Sequence, residues 1–431
     1  MFRKTILLFL VFPVLASAGT QQLPLINQER LEKNVFALAE YGKKVNGETS
    51  RVAFSDADIA GRSYVIGLME EAGLDVHIDF AGNIIGRGKG SEPELKPIAF
   101  GSHIDMVPDG GNYDGILGSL AAIEVVKTFR ENGIITRHPL EVIIFPNEEG
   151  GVMGSRALAG TLKPEALEVI NSTGYTMAEG IDRLGGNSSK AREVAREKGS
   201  LAAFLELHIE QGGILEQTKT DIGVVEGIVG IKWWDVEVNG NPNHAGTTPM
   251  DMRQDALLAA SRFVIAVNEV ALAHEGRHVA TVGRINAQPG APNVIPGRVS
   301  LSLEIRDLSS DKIQLLFNEM EKRAGQIAEE SGTSFQFRPI DATGNPAMTD
   351  ERIRKLISEA ARILGLSQRL LQSGAGHDAQ EMALLAPVGM IFVPSKGGIS
   401  HSPREFTRAE DMANGANVLS HTLMAIDRKW D

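Results

Sequence analysis

An α/β fold is predicted for this chain, built on a mostly parallel sheet that a smaller α+β unit interrupts, and three observations predict it. Four short apolar runs, at 98–100, 140–145, 201–207 and 388–393, each end in polar, glycine-rich sequence carrying His or acidic residues. Runs apolar on both faces and separated by longer connecting segments are the pattern of buried parallel strands. Between about 226 and 342 the order becomes strand-helix-strand-strand-helix-strand, the split unit of ferredoxin-like domains, and the first style then returns.

The elements follow in order. Residues 24–45 place Leu31, Val35, Leu38 and Ala39 at helical spacing, and Ser55 with Asp56 and Asp58 caps a second helix that Gly73 ends. Residues 75–80 alternate as a half-exposed strand with His77 toward solvent, and Gly82-Asn83 turns the chain toward Ile84-Ile85. A helix over 116–130 presents Leu120, Ile123 and Val126 on one face and stops at Asn132-Gly133. The segment 161–198 reads as helical and polar, with breaks at Gly174 and Gly185-Gly186. In the central unit, strands are expected at 228–238, 278–285, 294–305 and 334–339, and helices at 255–273 and 311–330. An amphipathic helix over 350–364 and a glycine-rich loop at 373–379 lead into the last buried run.

Composition narrows the chemistry. The 431 residues include no cysteine, which excludes thiol nucleophiles and thiolate metal sites and leaves His, Asp and Glu as ligands. Arg3-Lys4, an apolar run at 5–15 and Ala16-Ser17-Ala18 are the three parts of a secretory signal peptide, so cleavage near Ala18 and export, periplasmic or secreted, is expected. No later stretch is expected to be long enough to span a membrane. Loss of Arg3 and Lys4 with residues 1–18 takes the formal net charge from −12 to −14, which argues against nucleic acid or an anionic membrane as a partner.

Each buried run delivers candidate ligands. His103 and Asp114 flank the loop after the first, Glu148-Glu149 follow the second, His208 the third and His401 the fourth. Parallel strands share one carboxyl edge, where open α/β sheets bind ligands, so these six side chains are expected to converge. Three imidazoles with the carboxylates of Asp114 and Glu149 suit Zn or Mn, with Co or Ni as further candidates. Five ligands exceed the usual set of a single catalytic zinc, and two divalent ions ~3.5–4 Å apart, bridged by Asp114, fit better. Asp105 lies two residues beyond His103 on the same face of extended chain, placed to accept a hydrogen bond from the far imidazole nitrogen. Glu148, left outside the ligand set, becomes the proton acceptor for an activated water, and metal-assisted hydrolysis is the reaction class.

The same residues resemble a known family. The set His103-x-Asp105, Asp114, Glu148-Glu149, His208 and His401 is similar to that of the dinuclear metallopeptidase clan of aminoacylases and co-catalytic carboxypeptidases. Asn147-Glu148-Glu149-Gly150, the stretch from Glu206 to Gly212, His244-Ala245-Gly246-Thr247-Thr248-Pro249-Met250, Gly374-Ala375-Gly376-His377-Asp378-Ala379 and Gly398-Ile399-Ser400-His401-Ser402 resemble its hydantoinase/carbamoylase branch. That branch contains N-carbamoyl-L-amino acid hydrolases, β-ureidopropionases, and allantoate and ureidoglycolate amidohydrolases.

The resemblance, which extends from about residue 24 to the C-terminus, implies a metal-dependent amidohydrolase cleaving the ureido C–N bond of an N-carbamoyl-L-amino acid or a related ureido acid. Allantoate or ureidoglycolate hydrolysis, and an exported aminopeptidase or dipeptidase, are the alternatives within the clan. It implies that His103, Asp114 and His208 hold one ion and Asp114, Glu149 and His401 the other, with Glu148 as general base and Asp105 as a supporting partner. It also implies a catalytic domain over 24–225 and 343–431, and an inserted domain over 226–342 acting as a lid that dimerises. Gln211, His244, Asn293, Arg306 and Gly376 are the substrate-binding residues it suggests. The chemistry agrees: the Arg306 fork suits a carboxylate, Gln211 can both donate to and accept from a ureido group, and His244 can stabilise an oxyanion. The signal peptide and Met106 depart from the pattern.

Overall fold

The structure is a computed structural model and describes residues 23–340 and 344–430. The expected signal peptide at 1–18 and the junction at 342–343 lie outside the described residues. Strands run in chain order as β1 (Asp75–Ile78), β2 (Ile84–Gly88), β3 (Ile98–His103), β4 (Leu140–Phe145), β5 (Ala203–Ile209) and β6 (Ile222–Ile228). The central part follows with β7 (Gly230–Asn239), β8 (Asn243–His244), β9 (Val279–Thr281), β10 (Ile285–Gln288), β11 (Val294–Ile295), β12 (Arg298–Asp307) and β13 (Ser334–Ile340). The last strands are β14 (Ala347–Met348), β15 (Gln368–Ser373) and β16 (Val388–Val393). The helices are α1 (Gln28–Ala39), α2 (Asp56–Glu71), α3 (Ile116–Glu131), α4 (Met153–Ala159), α5 (Met177–Arg183), α6 (Ile214–Thr218), α7 (Ala256–Ala273), α8 (Ser310–Ser331), α9 (Glu351–Ile363), α10 (Asp378–Met382) and α11 (Ala409–Lys429).

Four strands position the site. In the order β4-β3-β5-β16 they pair parallel throughout, with His103 opposite Phe145 and Phe392 opposite His208, so their carboxyl ends share one edge. Antiparallel strands β1 and β2 extend this ladder on one side and β6 and β14 on the other, with β15 parallel to β6. Alternate residues of each central strand serve opposite faces. Phe100, Val142, Leu205 and Ile391 pack with α1, α3, α9 and α11, while Phe145, Phe204 and Phe392 pack with Leu158 of α4 and Met382 of α10. Burial on both faces explains why these strands read as continuous apolar runs.

A second sheet, β10-β12-β7-β13 with β9 beside β12, carries α7 and α8 on one face. Val236, Val238, Leu301, Leu303 and Ile305 meet Phe263, Leu316 and Met320 there. The core formed is separate from that of the first sheet.

The structure corrects several expectations. Residues 161–198 are largely irregular: the α-helix there is only α5, started by a Thr176–Glu179 capping box, with short 3-10 turns at Pro164–Glu168 and Ser188–Lys190. Closely spaced breakers prevent a longer helix, and the segment is held by Met177, Ile181 and Leu184 around Phe54. The strand expected at 278–285 is two, β9 and β10, which both pair with β12, and that at 294–305 divides at Pro296-Gly297. Strands β6 and β15 were not anticipated. Helix α7 is, contrary to expectation, long and apolar enough to cross a membrane by length and composition; 39% of it is buried, with Phe263 and Val267 in the second core.

Candidate active site

The site is assembled from strand ends and the loops leaving them. His103 and His208 are not beyond their strands but within them, as the last residue of β3 and the next to last of β5, both fully buried. Backbone acceptors set their rings. The Nδ1–H of His103 donates to the Asp105 carbonyl at 3.0 Å, and that of His208 to the Ile209 carbonyl at 2.9 Å. Both Nε2 atoms therefore turn toward Asp114, whose Oδ1 lies 3.6 Å from His103 and 3.2 Å from His208.

Asp114 is the hub of the site. Its other oxygen, Oδ2, faces His401 Nε2 at 3.5 Å, and the same nitrogen lies 3.3 Å from Glu149 Oε1. Gln211 Nε2 and Ser400 Oγ both donate to Asp114 Oδ2, at 2.6 and 2.8 Å. Two groups of donor atoms result, His103-Asp114-His208 and Asp114-Glu149-His401, each with its atoms within 4.8 Å of one another. Asn147, Gln211 and His401 all sit at positive φ, at 53°, 56° and 53°. Strain of this kind costs of order 1–3 kcal/mol per residue and collects at functional sites.

Asp105 is placed differently from expectation. Its carboxylate is 3.9 Å from His103 Nδ1, too far for a hydrogen bond, and accepts instead from the backbone N–H groups of Glu148 and Glu149, each at 3.2 Å. The carbonyl, not the carboxylate, orients the imidazole. Asp105 thereby fixes the turn that presents Glu148 and Glu149. Glu148 Oε2 lies 3.7 Å from His103 Nε2.

The donor set fits divalent cations. His103 Nε2 and Glu149 Oε1 are buried with no hydrogen-bond partner. An uncompensated lone pair of this kind costs about 1–3 kcal/mol. The lone pair of His208 Nε2 faces a carboxylate oxygen, an arrangement that needs positive charge between them; Asp114 pulls this imidazole up to about 9 against the opposing effect of burial. The Gly115 N–H, aimed at the same nitrogen from 3.1 Å, disfavours a proton there, and a cation remains. Burial, with the charges of Asp378 and Glu149, pushes Glu148 well above the usual carboxylate range; burial, with Asp58 and Glu149, does the same to Asp105. The carboxylates of Asp114 and Glu149, which face its Nε2, raise His401 to about 10. Excess buried negative charge is what a pair of divalent ions neutralises.

Several supporting residues had no individual signal. Glu405 accepts from the N–H groups of Tyr113 and Asp114 at 2.9 and 3.0 Å, and its Oε2 lies 2.9 Å from Ser400 Oγ, so it holds the hub in place. It lies 291 residues away in sequence and no local pattern marks it. Glu206 and His377, inside two of the quoted motifs, group with His208: Glu206 accepts from Ser102 Oγ and the Ala379 N–H, and His377 Nε2 meets Ser373 Oγ at 2.7 Å.

Arg306 lines a cavity of about 690 Å³ together with Gln211, Ser400 and His401. Its guanidinium grips Glu304 through Nε and Nη2, at 2.8 and 3.0 Å, and donates through Nη1 to the Gly374 carbonyl at 2.6 Å, leaving one N–H on each terminal nitrogen. Gly376 is half-buried just after that loop's Gly374-Ala375. His244 and Asn293 are not brought to this cavity within the chain. His244 is exposed on β8, where its Nδ1 accepts from the N–H groups of Gly246 and Thr247, and Asn293 is exposed in the turn just before β11. His77 is exposed on β1, as expected.

Comparison with known proteins agrees with this geometry. The family described as Peptidase family M20/M25/M40 matches residues 99–425. The chain is 40% identical to an N-carbamoyl-L-amino acid amidohydrolase of Geobacillus stearothermophilus over 404 residues, covering 93% of this chain and 98% of that one. It is 38% identical to a ureidoglycolate hydrolase of Arabidopsis thaliana, covering 91% and 85%. A crystal structure of an amidase of the hydantoinase/carbamoylase family from Burkholderia multivorans superposes with a TM-score of 0.86 at 36% identity, covering 93% and 98%. The chain therefore belongs to Peptidase family M20/M25/M40, and within it to the hydantoinase/carbamoylase branch.

Proposed function

We propose that this chain is a metal-dependent amidohydrolase that cleaves the ureido C–N bond of an N-carbamoyl-L-amino acid or a related ureido acid. The observation that carries the reading is the pair of His-and-carboxylate groups sharing Asp114 with Glu148 beside them. His103, Asp114 and His208 would hold one divalent ion, and Asp114, Glu149 and His401 the other; Zn and Mn suit these donors, as do Co and Ni. Such ions supply Lewis-acid polarisation of a carbonyl and lower the pKa of water. Glu148 takes a proton from the water that adds to the ureido carbon and returns it to the nitrogen that leaves as the C–N bond breaks. A carboxyl whose surroundings raise its pKa is suited to giving that proton back. Asp105 keeps Glu148 and Glu149 in register, Gln211 orients the ureido group, and the free N–H pair of Arg306 takes the substrate carboxylate. With an N-carbamoyl amino acid the products are the amino acid, carbon dioxide and ammonia.

The unit over 226–342 is proposed to act as a lid and to pair two copies of the chain. Helix α7 supports this: Leu258, Ile265 and Leu272 are 55%, 58% and 78% exposed on the face turned from its own sheet. A helix apolar all round is normally covered. Export after cleavage near Ala18 is proposed from residues 1–18, and the mass of the mature protein tests it. Incubating the metal-loaded protein with N-carbamoyl-L-amino acids, allantoate, ureidoglycolate and dipeptides, with ammonia and free amino acid measured, tests the activity. Ammonia from none of the ureido compounds would overturn the reading, and cleavage of dipeptides alone would replace it with the peptidase alternative.

A further inference from the structure

The cavity that holds His401 and Arg306 contains a second guanidinium, Arg277, that the reaction does not use. Arg277 lies in the connection from α7 to β9. Val279 is the register partner of Arg306, so Arg277, two residues earlier, is presented at the same end of that ladder. Gln372 Nε2 donates to the Arg277 carbonyl at 2.9 Å and ties this connection to the end of β15. The side chain is 52% exposed and meets Glu226 through Nη2, and no other partner of its guanidinium is found among the described residues. The carboxylate among the lining residues, Glu210, is already committed: its two oxygens accept from the N–H groups of Ile214 and Leu215, both at 2.8 Å. The cavity thus offers free N–H donors at two separate points, with nothing acidic in its wall left to meet them.

We propose that Arg277 selects ureido acids bearing a second carboxylate, on the side chain. The inference rests on the ureido-acid reading and deepens it. With the α-carboxylate at Arg306 and the ureido group toward Gln211 and His401, a side chain of a few carbons runs along Leu371 and Gln372 toward the Nε and Nη1 of Arg277. An amide of the same length would place a neutral group there. The contact is the same in ground and transition states, so the preference falls in KM rather than kcat.

The test compares N-carbamoyl-L-glutamate with N-carbamoyl-L-glutamine, which have nearly the same shape and differ in side-chain charge, on the metal-loaded full chain. The native protein is expected to favour the acid in kcat/KM by about fivefold, the scale of a half-exposed ion pair, and the preference is expected to shrink as salt is raised. In Arg277→Glu the ratio of acid to amide should fall below one, and in Arg277→Lys part of it should survive. Equal kcat/KM for the two compounds in the native protein, or a ratio that Arg277→Glu leaves unchanged, overturns the inference while the amidohydrolase stands. Ammonia from neither compound, nor from any neutral N-carbamoyl amino acid, overturns both.

Discussion

Gly115 offers a sharp test of the site, because a methyl group there meets His103, the first of the proposed histidine ligands, directly. It is the residue before α3, at φ 67°, and a Cβ would lie 2.3 Å from His103 Nε2 and 2.4 Å from Cδ2 and Cε1. Non-bonded heavy atoms rest at ~3.5 Å, so the imidazole would have to retreat by about 1 Å. It has nowhere to go: the ring is 1% exposed and its Nδ1 is fixed to the Asp105 carbonyl. Gly133 is the matched control, at φ +64° with nothing within 4 Å of its added Cβ. Both Gly115→Ala and Gly133→Ala should lose ~1–2 kcal/mol for a side chain at positive φ. Only Gly115→Ala should lose function, by about 100-fold in kcat/KM, the cost of misplacing a reacting group by about 1 Å. Thermal unfolding in the presence of a chelator reads the shared backbone cost, and calorimetric titration with Zn or Mn reads the displaced ring. Equal cation affinity and equal turnover in the two variants would refute the assignment of His103 as a ligand through Nε2.

Other outcomes follow from the same geometry. Glu148→Gln should lower kcat by about 10²–10⁴-fold while cation binding persists, since the role proposed for the side chain is to move a proton and not to hold an ion; turnover within tenfold of native would contradict that role. Asp105→Asn should cost about 10–100-fold in cation affinity or activity, because its amide keeps one acceptor and sets an NH2 donor against one of the Glu148 and Glu149 N–H groups, measured by the same titration. Chelation should abolish ammonia release and lower the melting temperature, and added Zn or Mn should restore both; activity that survives exhaustive chelation would reject the two-ion reading. Asp114 and Glu149 raise His401 from 6.5 to about 10, above its unfolded value. In the metal-free protein its stabilising contribution is full below about pH 6.5 and lost as pH rises through about 10. Metal-free melting temperatures should therefore decline across that window, less steeply in His401→Asn, and cation binding at pH 7 should release protons, seen by titration in buffers of different ionisation enthalpy.

What could be read in advance was local. The runs at 98–100, 140–145 and 388–393 announce buried strands because residues covered on both faces must be apolar whatever their neighbours, and the polar residues that follow them announce the carboxyl edge. The cap at Ser55 and the stop at Gly73 were legible for the same reason, since each satisfies backbone groups within its own turn. Strands β6 and β15 were not, because their identity depends on pairing with each other across about 145 residues, and the segment 161–198 takes its course from the Phe54 cluster rather than from its own periodicity.

The amino-acid order by itself determined which side chains would meet at the sheet edge, because the parallel pairing of four apolar strands leaves their exits nowhere else to go. Only the tertiary structure decided how those side chains are held. The Asp105 carboxylate turns to the Glu148-Glu149 backbone rather than to His103, Glu405 anchors Asp114, and Glu304 occupies one side of the Arg306 fork. Hydrogen-bond partners are chosen by distances of a few tenths of an ångström between segments remote in sequence, and no local pattern encodes such distances.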